Sequence, residues 1–251
     1  MGLQLGVQLL FTSQIMSKSR TQSLKDDLLD LLEYTSSEEP QLYERLDEMW
    51  KWIKKMKDGL LMSKNHVLNL FEEVIQDSIF WLEYQTLSVE DQEEAVKNLS
   101  TSRQYWSLEL FPLWFREPDP KLNLWKSKML KGDFHHLDEQ AINSTCEDIR
   151  RHKGSTHSSY VLDLSMATDL IAASASSKPL TVQLTTVSGD WLHDKTDQWK
   201  ETLSYWQIKH GLLLSYNPSK VGSGFRAYTI LQKCGQINSP CYDVCITNSE
   251  M

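Results

Sequence analysis

The apolar residues of this chain keep two different periods in its two parts, and that change constrains the fold more than any single motif. Between about Leu24 and Leu130 they recur at spacings of three and four, the period of one helix face. Leu42, Leu46, Met49 and Ile53 form one such stripe, and Val67, Phe71, Val74, Ser78 and Leu82 form a second, with Gly59 as the break between them. Ser88-Val-Glu-Asp91 places an acid three residues past a Ser, the pattern of a capped helix start, with Val89, Val96 and Leu99 following it. Leu110-Phe-Pro-Leu-Trp-Phe115 and Glu117-Pro-Asp-Pro120 interrupt the periodicity because Pro cannot continue a helix. Residues 116–130 therefore read as a linker or a short connecting helix.

From residue 133 the pattern is mixed. Asp138 to Arg151 reads as a helix, with Leu137, Ile142, Cys146 and Ile149 near one face, and Lys153 to Ser159 reads as a polar loop. Tyr160-Val-Leu-Asp-Leu164 and Asp169-Leu-Ile-Ala-Ala173 are apolar runs of strand length, separated from a third by a small-residue turn at Ser174–Pro179. In Leu180 to Val187, Leu180, Val182 and Leu184 alternate with Thr181, Gln183 and Thr185, as in a strand with two unlike faces. Thr196 to Ile208 is expected to be helical and Gly211 to Tyr216 a buried strand stopped by Asn217-Pro218, while Phe225 to Leu231 reads as a further strand or two. Trp191, Trp199 and Trp206 are expected to fill the core rather than to stack bases. A helical crossover between strands argues for an α/β sheet over a sandwich. The expected fold class is α/β: an acidic all-α region over 1–130, then an α/β domain with a central mixed sheet over 131–251.

Charge and composition remove several function classes. The 251 residues carry 26 Lys and Arg against 34 Asp and Glu, a net charge of −8, which argues against a basic nucleic-acid coat protein. Most of the excess acid sits in residues 1–130, with 15 basic and 21 acidic side chains, so the helical half is a poor platform for a polyanion. Met1 to Phe11 is apolar but too short to span a bilayer and lacks the basic start of a secretory signal. Met16 reads as an alternative start. A cytoplasmic protein without membrane attachment is the expectation, and Asn98 and Asn143 then carry no weight as glycosylation sites. Cys234, Cys241 and Cys245 form C-x6-C-x3-C, which lacks paired zinc knuckles, and neither His135 nor His136 completes a ligand spacing. Together with Cys146 they are expected to be reduced thiols. The chain contains no phosphate-binding G-x-x-x-x-G-K-[ST] loop, no G-x-S-x-G elbow and no H-E-x-x-H.

The order helix, three strands, helix, strand, with Asp169 near the start of the second strand and Gln183-Leu-Thr185 on the third, resembles the core of PD-(D/E)XK, or restriction-endonuclease-like, nucleases. The resemblance covers roughly residues 133–220, and the segment is also similar to C-terminal modules of NACHT-type bacterial defence proteins. It implies Mg²⁺ (or Mn²⁺) as cofactor, nucleic acid as a partner and phosphodiester hydrolysis as the activity. Asp169 matches the family's first acid, Gln183 its second metal ligand, and Glu139 the acid contributed by the first helix. Thr185 stands where the family has a Lys, so Lys195 or Lys200 on the following helix would have to supply the ammonium. Residues 183 and 185 share one face of a strand, which suits a metal ligand and a water-orienting group aimed at one point. Arg150, Arg151 and Lys153, beside His152 and His157, are the candidate phosphate contacts. Without the resemblance, Asp169 begins a strand, Gln183 and Thr185 are polar-face residues, Glu139 is a solvated helix acid, and the basic cluster is a solvated loop. The alternative function is a catalytically inactive nuclease fold acting as an interaction or regulatory module, with the N-terminal helices as the protein-binding part.

Overall fold

Ser19 starts the first helix, its Oγ accepting a hydrogen bond from Gln22 N at 3.3 Å. In this computed structural model the described residues are 19–247 apart from 58–59, 62, 132–135, 176 and 238, and the side chains of 136–138 are not described. Gly59, His135, the side chain of His136 and the first eighteen residues thus lie outside the described residues.

The expected helical half is present as α1 (Arg20–Glu38), α2 (Pro40–Ile53), α3 (Asn65–Thr86) and α4 (Val89–Lys97). These are followed by α5 (Thr101–Tyr105), a π-helical turn (Trp106–Leu110), α6 (Phe111–Arg116) and α7 (Leu122–Lys131). Both predicted stripes point inward: Leu42, Leu46, Met49 and Ile53 of α2, and Val67, Phe71, Val74, Ser78 and Leu82 of α3, are all buried. Burying each such aliphatic or aromatic side chain is worth about 1.5–3 kcal/mol. Ser88 caps α4 as its spacing predicts, accepting from Asp91 N and donating to Asp91 Oδ2. The π-turn falls just before Pro112, which can donate no backbone bond to the preceding turn.

The second half runs α8 (His136–Arg151), β1 (Ser155–His157), α9 (Tyr160–Met166), β2 (Leu170–Ala173), β3 (Leu180–Thr185), α10 (Asp190–Tyr205), β4 (His210–Tyr216), α11 (Ser223–Gly235) and β5 (Cys241–Thr247). The five strands form one mixed sheet in chain order. β1, β2 and β3 are antiparallel neighbours, and β4 and β5 add on in parallel through the crossover helices α10 and α11.

Three local expectations are corrected. Tyr160–Leu164 is helical, because Ser159 caps it by accepting from Leu162 N at 3.2 Å, and Val161, Leu162, Ser165 and Met166 present a helical buried face. The first strand lies instead inside the stretch read as a polar loop, at Ser155–His157, where Gly154 lets the chain pass tightly over Ile149 and Leu231. Phe225–Leu231 belongs to α11, whose Ala227, Ile230 and Cys234 are buried at helical spacing, and the following strand begins only at Cys241. Trp199 and Trp206 are core residues as expected, but Trp191 is 77% exposed at the start of α10. All four cysteines are free thiols. No described helix is long and apolar enough to cross a membrane.

The alternation read in 180–185 sorts the sheet's two faces. Leu180, Val182 and Leu184 join Ala172, Leu212 and Leu214 in an apolar cluster under α8 and α11. Ile171 and Leu213 point the other way, into one continuous cluster with Trp199, Leu203 and Trp206 that extends through α1, α2 and α3. The acidic helices and the sheet therefore share a core. Close approach at that seam needs Gly211, where a Cβ would lie 2.8 Å from Trp199 Cζ2.

Candidate functional site

The cross-strand register places Leu170 opposite Val182, so Asp169, one residue earlier, stands beside Gln183 on the face turned toward the helical half. Asp169 N donates to Val182 O at 2.9 Å, which extends the ladder by one residue and fixes the carboxylate. Its Oδ2 accepts from Leu184 N at 2.6 Å, and Gln183 Nε2 donates to Oδ1 and Oδ2 at 2.9 and 3.0 Å. The acid is recessed, only 8% exposed.

These two residues line a cleft of about 810 Å³. It lies beyond the carboxyl ends of the parallel strands β3 and β4, the end at which open α/β sheets commonly bind ligands. Lys195, Gln198, Trp199 and Thr202 of α10 form one wall, and Glu139, Ile142 and Asn143 of α8 form another. Asp163 and Tyr160 come from α9. The helical half contributes His66 and Glu73 from α3, Lys121 just before α7, and Trp125 and Lys128 from α7.

Of the residues singled out in the sequence, Asp169, Gln183, Thr185, Lys195 and Glu139 converge on this cleft. Thr185 is buried and its Oγ1 accepts from Val187 N at 3.2 Å, so it shapes the turn after β3. Lys200 does not line the cleft: five residues past Lys195, it is rotated about 140° around α10 from the wall-forming face. Arg150, Arg151 and Lys153 do not reach it either. Arg150 lies eleven residues, about 16 Å along the helix axis, beyond Glu139 and donates to Thr156 Oγ1. Arg151 is spent on Asp148 at 2.6 Å and Glu147 at 3.5 Å, and it and Arg150 end α8 rather than lying in a solvated loop.

Sequence reasoning missed the contribution of α3 and α7. Tyr160 OH and His66 Nδ1 are 3.1 Å apart, and Tyr160 N donates to Glu73 Oε2 at 2.9 Å, which ties α9 to α3 across the cleft. Burial pushes the Glu73 carboxyl up to about 7 and also raises the Tyr160 phenol. Burial lowers Lys121, whose Nζ donates to Thr202 Oγ1 at 2.9 Å. No spacing within α3 or α7 distinguishes these residues from an ordinary polar helix face. Tyr216 was legible only as a strand end; it lines the cleft with the Arg226 guanidinium 4.6 Å from its ring centre.

Among the described residues, no group of three or more His, Cys, Asp or Glu side chains is gathered to hold a metal ion. The donor set beside Asp169 is small but of the right type for a hard cation, which takes one or two carboxylates and completes its shell with water. Turning the Gln183 amide about its terminal bond would exchange Nε2 for Oε1 beside Asp169 and give two adjacent oxygen donors. The fold and site define a mixed α/β protein with a recessed carboxylate–amide pair at a sheet end roofed by its own helical half. No protein-family model, curated protein or solved structure matches the chain.

Proposed function

We propose that this chain is a restriction-endonuclease-like protein that hydrolyses phosphodiester bonds with Mg²⁺ or Mn²⁺, Lys195 taking the part of the family's missing motif lysine. The observation that carries the reading is the contact of Asp169 with Gln183 on the cleft floor beneath a wall bearing Lys195. The antiparallel β1–β2–β3 meander followed by a helical crossover to a parallel β4 supports it, with α9 as an insertion between the first two strands.

In this reading Asp169 and, once its amide is turned, the Gln183 oxygen would hold the cation, with Glu139 of α8 able to supply a further carboxylate. A hard cation held there would supply polarisation of the phosphate and a lowered pKa for the attacking water. Lys195 orients that water and stabilises charge developing on the phosphoryl oxygens. Thr185 takes no part in the chemistry.

A second reading, a nuclease fold retained as an interaction module, is favoured by one observation: both Asp169 oxygens already accept N–H donors. The experiment that separates the two is Mg²⁺ and Mn²⁺ calorimetry on the wild type and Asp169→Asn, with cleavage of labelled DNA and RNA measured on the same samples. The isosteric change keeps an acceptor for Leu184 N, a turned Gln183 amide can accept from the new Asn Nδ2, and far-UV circular dichroism checks that the variant folds. Metal binding and cleavage that are both lost in the variant support the nuclease. Absence of metal binding in both proteins refutes it and leaves the interaction module.

A further inference from the structure

The proposed nuclease site leaves open which form of nucleic acid it takes, and the walls of the cleft bear on that question. Resting on that reading, we infer that the substrate is a single nucleic-acid strand, drawn in over two or three nucleotides between the sheet end and α7, with Lys121 and Lys128 of the helical half holding its phosphates.

The first support is shape. The cleft is about 810 Å³, within the range of roughly 300–1,000 Å³ typical of sites for small ligands. Asp169 lies at its recessed floor, and α3, α7, α9 and α10 rise around it. A duplex carries its phosphates on a convex surface and cannot lower one onto a walled floor without parting the walls. A single strand can bend in, as in enzymes that act on unpaired nucleotides.

The second support is charge. Lys121, Lys128 and Lys195 face Glu73, Glu139, Asp163 and Asp169, so the lining is not the uniformly basic groove that a long polyanion needs. The cations are instead placed at discrete points. Burial, and after it the charge of Lys128, disfavour the protonated form of Lys121, while the Asp119 and Asp163 carboxylates favour it, and an anion between the two lysines would add to that support. Thr202 fixes the Lys121 ammonium, and among the described residues neither Lys128 nor Lys195 enters an ion pair. Three lysines on phosphates of a single strand predict a salt slope of about −2, since each contact contributes about −0.7.

The test uses the full chain in EDTA, with fluorescein-labelled dT10, rU10 and a 10-bp duplex as anisotropy probes, titrated from 50 to 200 mM salt. The expected result is binding of dT10 or rU10 at least tenfold tighter than the duplex, with a slope near −2; the two strands separate DNA from RNA. Lys128→Gln, an exposed change that spares the core, is expected to weaken single-strand binding three- to tenfold and reduce the slope by about 0.7. Duplex affinity equal to or above that of the strands, or no effect of Lys128→Gln, overturns the inference. Cleavage of the same probes in Mg²⁺ distinguishes the two levels. A duplex bound and cleaved refutes the single strand and keeps the nuclease, a strand bound but never cleaved does the reverse, and no binding or cleavage of any probe refutes both.

Discussion

Asp119 is the residue whose loss should cost this fold most for its size. Its Oδ2 accepts from Trp125 Nε1 at 2.9 Å, from Ser165 Oγ at 2.6 Å and more weakly from Trp114 Nε1 at 3.4 Å, while Oδ1 accepts from Lys121 N at 2.8 Å. One carboxylate thus joins α6, the start of α7 and α9, and sets the height of Lys121 at the cleft. Asp119→Ala leaves the buried Trp125 indole and the buried Ser165 hydroxyl without their acceptor. Each bond to a charged acceptor contributes about 1.5–3 kcal/mol, so these two together put the loss at about 3–6 kcal/mol. With a urea m-value of about 3 kcal/mol per M, the unfolding midpoint should fall by about 1–2 M. Trp fluorescence and far-UV circular dichroism both report the transition, and Asp194→Ala, an exposed acid on α10, serves as the control with a change within about 0.5 kcal/mol. A midpoint shift below about 0.3 M for Asp119→Ala would show that the hub contributes little and that packing alone joins the three helices.

The remaining predictions concern the cleft and its seam. Glu73 ionises near 7 in the fold against about 4.5 unfolded, so between these values the folded state holds the extra proton and stability falls as pH rises. Glu73→Gln should therefore match the wild type in thermal melts at pH 4.5 and exceed it by up to about 3 kcal/mol at pH 8; equal stability at both pH values would contradict the assigned shift. Gly211→Ala pushes a methyl group into Trp199 and Leu203, and overpacking of this kind costs about 1–3 kcal/mol, read as a drop of roughly 3–10 °C in Tm. Lys195→Gln should lower any metal-dependent cleavage by at least about 100-fold while Lys200→Gln changes it less than about twofold; equal losses would show that neither lysine acts from its place on α10.

What the sequence revealed and what it hid follow from how locally each feature is encoded. Leu42, Leu46, Met49 and Ile53 declare a buried helix face by spacing alone, and Leu180, Val182 and Leu184 declare a strand face in the same way. Asp169 and Gln183 are singled out together only through the resemblance to the nuclease core, and it is the antiparallel register that puts them side by side. Tyr160–Leu164 misled because its apolar residues fit a strand as well as a helical turn, and only the Ser159 cap decides between them. Trp191 misled because spacing to Trp199 says nothing about whether a helix start projects past the sheet. Glu73, His66, Lys121 and Lys128 were invisible as site residues, since their place depends on how two distant segments pack rather than on any local pattern.

The seam between those segments is also what makes the site specific to this fold. A slip of one residue in β3 would exchange Leu184 for Gln183 at the cleft floor, and the apolar cluster of Leu180, Val182 and Leu184 against Ala172, Leu212 and Leu214 opposes that slip. On the neighbouring strand the position of Asp169 depends on how α9 ends. Ala167 closes that helix in the left-handed region at φ 49°, a conformation that costs a non-glycine residue about 1 kcal/mol, and Thr168 N then bonds back to Leu162 O. The cost is borne because the Ala167 methyl packs against the shared core beside the cleft, a contact glycine would forgo. The same helix is held at its start by Glu73 of α3 and near its end by Ser165 on Asp119. The helical half therefore sets the path of the chain into Asp169, so that what packs onto α3 and α7 bears directly on the carboxylate at the cleft floor.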